Sequence, residues 1–155
     1  MPVRGIRDED NANMLQKSIG NLDGAGNRVQ SEERVNTMNN VERILQNLGV
    51  MPNYTGYFQT LEAVELCVES PERLTLITKQ VYMEVGRRCG VKWTAVERNI
   101  RTAAGVAWER NRPLLEEIVG CALETRPCAS DFVAALTVRA IASELHGEGV
   151  DILEA

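Results

Sequence analysis

In the stretch TAVERNIRTAAGVAW, residues 94–108, two arginines and a glutamate stand among residues that otherwise have the composition of a buried helix. At about 100° per residue, Val96, Ile100, Ala103 and Ala107 fall on one side. Thr94, Arg98, Arg101, Thr102 and Gly105 cluster on the other, with Glu97 on its flank. Guanidinium groups and a carboxylate on one helix face have a definite chemistry. An arginine can donate two hydrogen bonds to O6 and N7 of guanine, and a glutamate can accept one from N4 of cytosine. The face is small enough for a major groove about 12 Å wide, and each good bidentate pair discriminates against the wrong base by about 1–3 kcal/mol. Plainer roles stand beside this one. Thr94 and Glu97 match the S/T-x-x-E box that caps a helix N-terminus. Glu97 and Arg101 also have the i, i+4 spacing and orientation that pair ions along an exposed helix. Arg98 has no acid at that spacing, because Thr94 and Thr102 flank it.

A helix presents such a face only if its other side is held. The junction RRCGVKWTAVER has the pattern of a helix-turn-helix: a small residue where the second helix crosses, a glycine opening the turn, and an apolar residue six positions later. Gly86, Gly90 and Val96 occupy these places, with Val85 and Ile100 beside them. Arg87, Arg88 and Lys92, with Lys79 upstream, are placed to hold phosphates on either side of a groove. They are equally suited to a solvated helix end favoured by the macrodipole.

The remaining elements follow from apolar periodicity. NNVERILQNLG carries a stripe of Val41, Ile44, Leu45 and Leu48, and YFQTLEAVELCVES one of Leu61, Val64, Cys67 and Val68. PERLTLITKQVYMEVGRRCG predicts one helix from Pro71 to Gly90, with Leu74, Ile77, Val81 and Val85 inward. RPLLEEIVGCAL predicts a short helix, and Ser130 is placed to cap a last one carrying Phe132, Val133, Leu136, Ala140, Ile141 and Leu145. No run has period two. The expected fold is all-α, a compact bundle of about six helices containing a helix-turn-helix. Residues 1–38 read as a polar, flexible arm, with GNLDGAGNRVQSEE as linker, 39–146 as the helix-turn-helix domain and 147–155 as a tail.

Composition narrows the function. A chain of 155 residues can build one real core. No stretch approaches the ~20 apolar residues of a membrane span, and the N-terminus has no apolar signal core, so a cytoplasmic protein without membrane contact is expected. Cys67, Cys89, Cys121 and Cys128 show no C-x-x-C spacing and the single His146 lies apart from them, so no metal or other cofactor is expected. The thiols should be reduced and buried, with Cys128 exposed in a loop. There is no Gly-rich phosphate loop and no nucleophile–base arrangement, which argues against an enzyme. The net charge of −5 opposes a nucleic-acid partner only until its distribution is considered. Between Lys79 and Arg112 eight cations (Lys79, Arg87, Arg88, Lys92, Arg98, Arg101, Arg110, Arg112) face three acids, giving +5 there and −10 in the rest of the chain.

VERNIRTAAGVAW, GYFQTLEAVEL, LITKQVYMEVGRRCGV and RPCASDFVAALTVRAI, taken together, resemble the C-terminal effector domain of the stage zero sporulation protein A family over roughly residues 39–145. The resemblance implies a six-helical domain that binds double-stranded DNA through a helix-turn-helix and regulates transcription, often as paired copies on tandem sites. It places base and backbone contacts on Thr94, Glu97, Arg98 and Arg101. AWERNRPLLEEIVG resembles the region that family uses against RNA polymerase. Thr102 stands where the family often has a histidine, Ala95 where it often has an arginine, and Trp93 is bulkier than the usual residue, which implies a different operator or affinity. The family's phosphoacceptor receiver domain is not expected within residues 1–38. The expectation is therefore a sequence-specific DNA-binding transcription regulator. The alternative is an interaction module that does not bind DNA and pairs with a full-length relative or with RNA polymerase.

Overall fold

A computed structural model describes residues 25–146. The chain divides into two compact units between Asn36 and Thr37. Among the described residues the first unit contains the start of helix α1 (Ala25–Asn47). The second contains the rest of α1, then α2 (Thr55–Glu69), α3 (Met83–Cys89), α4 (Trp93–Arg110), α5 (Arg112–Val119) and α6 (Ala129–His146). The fold is an all-α bundle, with no strand among the described residues. No helix there is long and apolar enough to cross a membrane. The arm expected before residue 25 and the tail expected over 147–155 lie outside the described residues.

Helix α1 begins earlier than the sequence suggests. The linker expected through Glu33 gives way to helix from Ala25. After Gly26 there is neither glycine nor proline until Gly49, and good helix formers such as Arg, Gln and Glu sustain the run.

The core of the second unit is built from the predicted stripes. Val41 and Leu45 of α1, Leu48 in the turn after it, Val64 and Cys67 of α2, Ile100 of α4, Leu115 of α5, and Phe132 and Leu136 of α6 are fully buried. Each fully buried side chain of this size contributes about 1.5–3 kcal/mol. On α6 the expected stripe ends early: Ala140 is buried, Ile141 is partly buried, and Leu145 is 71% exposed. Ser130 does not cap this helix. The N–H of Phe132 reaches the carbonyl of Cys128, and the Ser130 hydroxyl lies 3.3 Å from the Cys128 sulfur instead.

The single helix expected from Pro71 to Gly90 is three segments. A 3₁₀ turn (Pro71–Leu76) leads into a π turn (Thr78–Tyr82) and then α3. The N–H of Met83 bonds the carbonyl of Thr78, five residues back. This widening inserts one residue into the register. Val81 and Tyr82 at its end are buried, and so are Val85 and Gly86 one turn later.

The cysteines also differ from expectation. All four thiols are free, but only Cys67 is buried; Cys89, Cys121 and Cys128 are exposed. Cys89 is the last residue of α3, and Cys121 follows the glycine that ends α5, so each sits where a helix leaves the core. Burial pushes the Cys67 thiol above its usual range.

Candidate nucleic-acid interface

The junction between α3 and α4 forms as its sequence pattern suggests. Gly90 adopts φ +75°, a left-handed conformation that L side chains rarely take. Its N–H and that of Val91 both bond the carbonyl of Gly86, the second at 2.9 Å. Gly86 is small for a local reason: a Cβ there would stand 2.5 Å from the carbonyl oxygen of Val91. Val96 and Ile100, both fully buried, then fix α4 to the core.

Further contacts hold α4, and none is evident in the sequence. Gly56 of α2 lies against its backbone, where a Cβ would approach the carbonyl oxygen of Asn99 to 2.3 Å. Beside it the Asn99 amide donates to Gln59, a buried polar side chain, at 3.1 Å. The far end of α4 is held by Asn111. Its Oδ1 accepts from the N–H of Leu114 and its Nδ2 donates to the carbonyl of Asn47 at 2.9 Å. There the Arg112 guanidinium stacks over the Trp108 ring at 4.1 Å.

On the outer face, Thr94, Arg98, Arg101 and Thr102 are exposed and Glu97 is partly so. Arg98 has no ion pair or hydrogen-bond acceptor among the described residues. The capping box does not form: Lys92 is the N-cap, no side chain caps the helix, and Thr94 lies inside the first turn. Glu97 instead pairs with Arg101 at 3.1 Å, the other role its spacing allows. The Thr102 hydroxyl donates to the carbonyl of Arg98 at 3.1 Å. Gly105, expected on this face, is buried. The Arg126 side chain from the loop before α6 lies over it, with Nη1 2.7 Å from where a Cβ would stand.

The flanking cations divide into two groups. Lys92 lines an open cleft with Arg87, Val91, Trp93, Thr94 and Met83. Lys79 does not join it and lines a separate pocket with Arg73, Gln80, Glu84 and Arg88. Neither lysine has an ion-pair partner among the described residues. Arg87 and Arg88 both donate to Glu84, and Arg88 also reaches Glu62 of α2 at 2.8 Å. At the end of the basic stretch, Arg110 donates to the Tyr54 hydroxyl, and Arg112 to Glu116 and the Leu123 carbonyl.

The Arg87 hydrogen bond, opposed by desolvation and aided by Arg88, lowers the Glu84 carboxyl from 4.5 to about 2. A carboxyl depressed by folding contributes stability above its unfolded value and loses it as pH falls through the folded value. That contribution should therefore disappear between about pH 4.5 and 2. Thermal midpoints followed by circular dichroism should show the native chain and Glu84→Gln converging across this window. A constant offset between them down to pH 2 would contradict the assignment. Because the pair is exposed, the offset at neutral pH should be small.

Residues 41–140 match the family model described as sporulation initiation factor Spo0A C terminal.

Proposed function

The chain belongs to the family of the sporulation initiation factor Spo0A C-terminal domain, a DNA-binding regulatory domain, and on that premise we propose a sequence-specific transcription regulator whose helix α4 enters the major groove of double-stranded DNA. The observation that carries this reading is Arg98. It is an exposed guanidinium with no partner among the described residues, early on a helix whose opposite side is sealed into the core. Arg98 and Glu97 read base edges, and Arg101 touches base or phosphate after giving up Glu97. Thr94, Thr102, Lys92, Arg87, Arg88 and Lys79 position the backbone. The protein works in the cytoplasm without catalysis of its own, with residues 39–146 as the effector domain between a polar arm and a short tail. Paired copies on tandem sites and RNA polymerase are its further partners.

Selection of bound sequences from a random duplex pool tests the reading directly. An enriched motif of a few specified base pairs is the expected result, and an unenriched pool overturns it. On an enriched duplex, Lys92→Ala should weaken all sequences alike and reduce the slope of log K against log salt by about 0.9, the signature of one lost phosphate contact. An unchanged slope would remove Lys92 from the interface.

One observation favours the module that does not bind DNA. Arg87, Arg88 and Arg101 are each already paired with a carboxylate. A pulldown of a protein partner together with salt-insensitive, sequence-indifferent behaviour on DNA would select that reading instead.

A further inference from the structure

Met83, Val91 and Trp93 are large apolar side chains exposed at 49%, 40% and 39%. Exposed apolar residues scattered singly need no explanation, but a grouped set does. These three line one cleft, of about 520 Å³, with Arg87, Lys92 and Thr94. The cleft lies at the start of α4, where Trp93 is the first helical residue. Trp93 stands one helical turn before Glu97, and the two side chains also line a second, smaller pocket together. The start of the base-reading face proposed above therefore carries an indole with cations beside it.

The charge around this patch selects its occupant. An apolar surface bordered by an arginine and by a lysine that has no acidic partner suits a target whose apolar groups are framed by anions. Duplex DNA has that pattern, with the thymine C5-methyl group in the major groove between rows of phosphates, and apolar side chains are a recurrent means of reading that methyl. We infer that Trp93 reads the C5-methyl of a thymine next to the base pair addressed by Glu97, with Lys92 and Arg87 on the adjoining phosphates. The inference rests on the major-groove reading of α4. The helical rise separates Trp93 from Glu97 by about 6 Å along the axis. That places the thymine one to two base-pair steps of about 3.4 Å from the pair Glu97 contacts.

The test uses the full chain and a duplex enriched from the random pool, resynthesised with each thymine in turn replaced by deoxyuridine, which lacks only the methyl. One replacement should weaken binding about threefold to fourfold, the effect of one methyl group returned to water. Trp93→Ala should bind the thymine and deoxyuridine duplexes equally, whereas Trp93→Phe should keep part of the preference. Trp93 is exposed, so these variants should fold, and circular dichroism verifies it. A deoxyuridine scan that is flat for the native chain overturns the inference, as does a preference that survives Trp93→Ala. If Trp93→Ala changes sedimentation of the free protein and leaves the methyl preference intact, the patch serves a second copy of the chain and the inference also fails. A flat scan on a duplex whose recognition still depends on Arg98 sinks the role of Trp93 alone. A pool that yields no enriched duplex sinks the DNA reading and this inference with it.

Discussion

Arg98→Ala should reduce discrimination at one base pair of the bound sequence by about 5-fold to 150-fold, the equivalent of the 1–3 kcal/mol that a bidentate contact supplies. The fold should be unaffected, because the side chain is exposed and bonds to nothing else among the described residues. Arg98→Lys separates charge from geometry. It keeps the cation and most of the salt dependence but loses the planar fork that matches guanine O6 and N7. Gel-shift competition between the enriched duplex and its single-pair variants measures both. Full selectivity retained by Arg98→Ala would overturn the assignment of α4 as the reading helix.

The second large effect is on stability. Gly56→Ala should destabilise the protein by about 3 kcal/mol, near the upper end of overpacking penalties. The new Cβ would stand 2.3 Å from the Asn99 carbonyl oxygen and 3.1 Å from the Ala103 Cβ. The nearest atom belongs to the α4 backbone, so no rotamer change relieves the clash; α2 and α4 must move apart. The Gln59–Asn99 hydrogen bond lies at the same crossing and should be lost with it. Urea denaturation measures the cost. Gly90→Ala is the control, since nothing lies within 4 Å of its Cβ position and only the φ of +75° opposes it. That should cost about 1–2 kcal/mol. If Gly56→Ala proved the milder of the two, α4 would not be seated as closely as described.

The parts of the site that were legible in the sequence are those whose determinants are close along the chain. Gly86, Gly90, Val96 and Ile100 fall within about four helical turns, and each occupies the expected position because turn geometry and helix period act locally. The Gly56 crossing was not legible, since nothing in GYFQTLEAVEL marks which glycine meets a backbone far along the chain. Gly105 lies outside what the sequence shows for the same reason: a helical wheel gives the side opposite the core, but not that Arg126 from another segment covers it. The π turn was hidden because Ile77, Val81 and Val85 already satisfy a regular helix. For Glu97, cap and ion pair were equally compatible with spacing, and the choice depended on whether the helix starts at Trp93 or after Thr94.

Glu84 has a thermodynamic consequence of its own. It holds Arg87 and Arg88 together, so a phosphate arriving at either guanidinium displaces a carboxylate and not water alone. Such a swap leaves little net enthalpy or free energy at fixed ionic strength, yet it still expels counterions condensed on the polyanion. At these two side chains, sensitivity to salt and strength of attachment become separate quantities, and the first overstates the second.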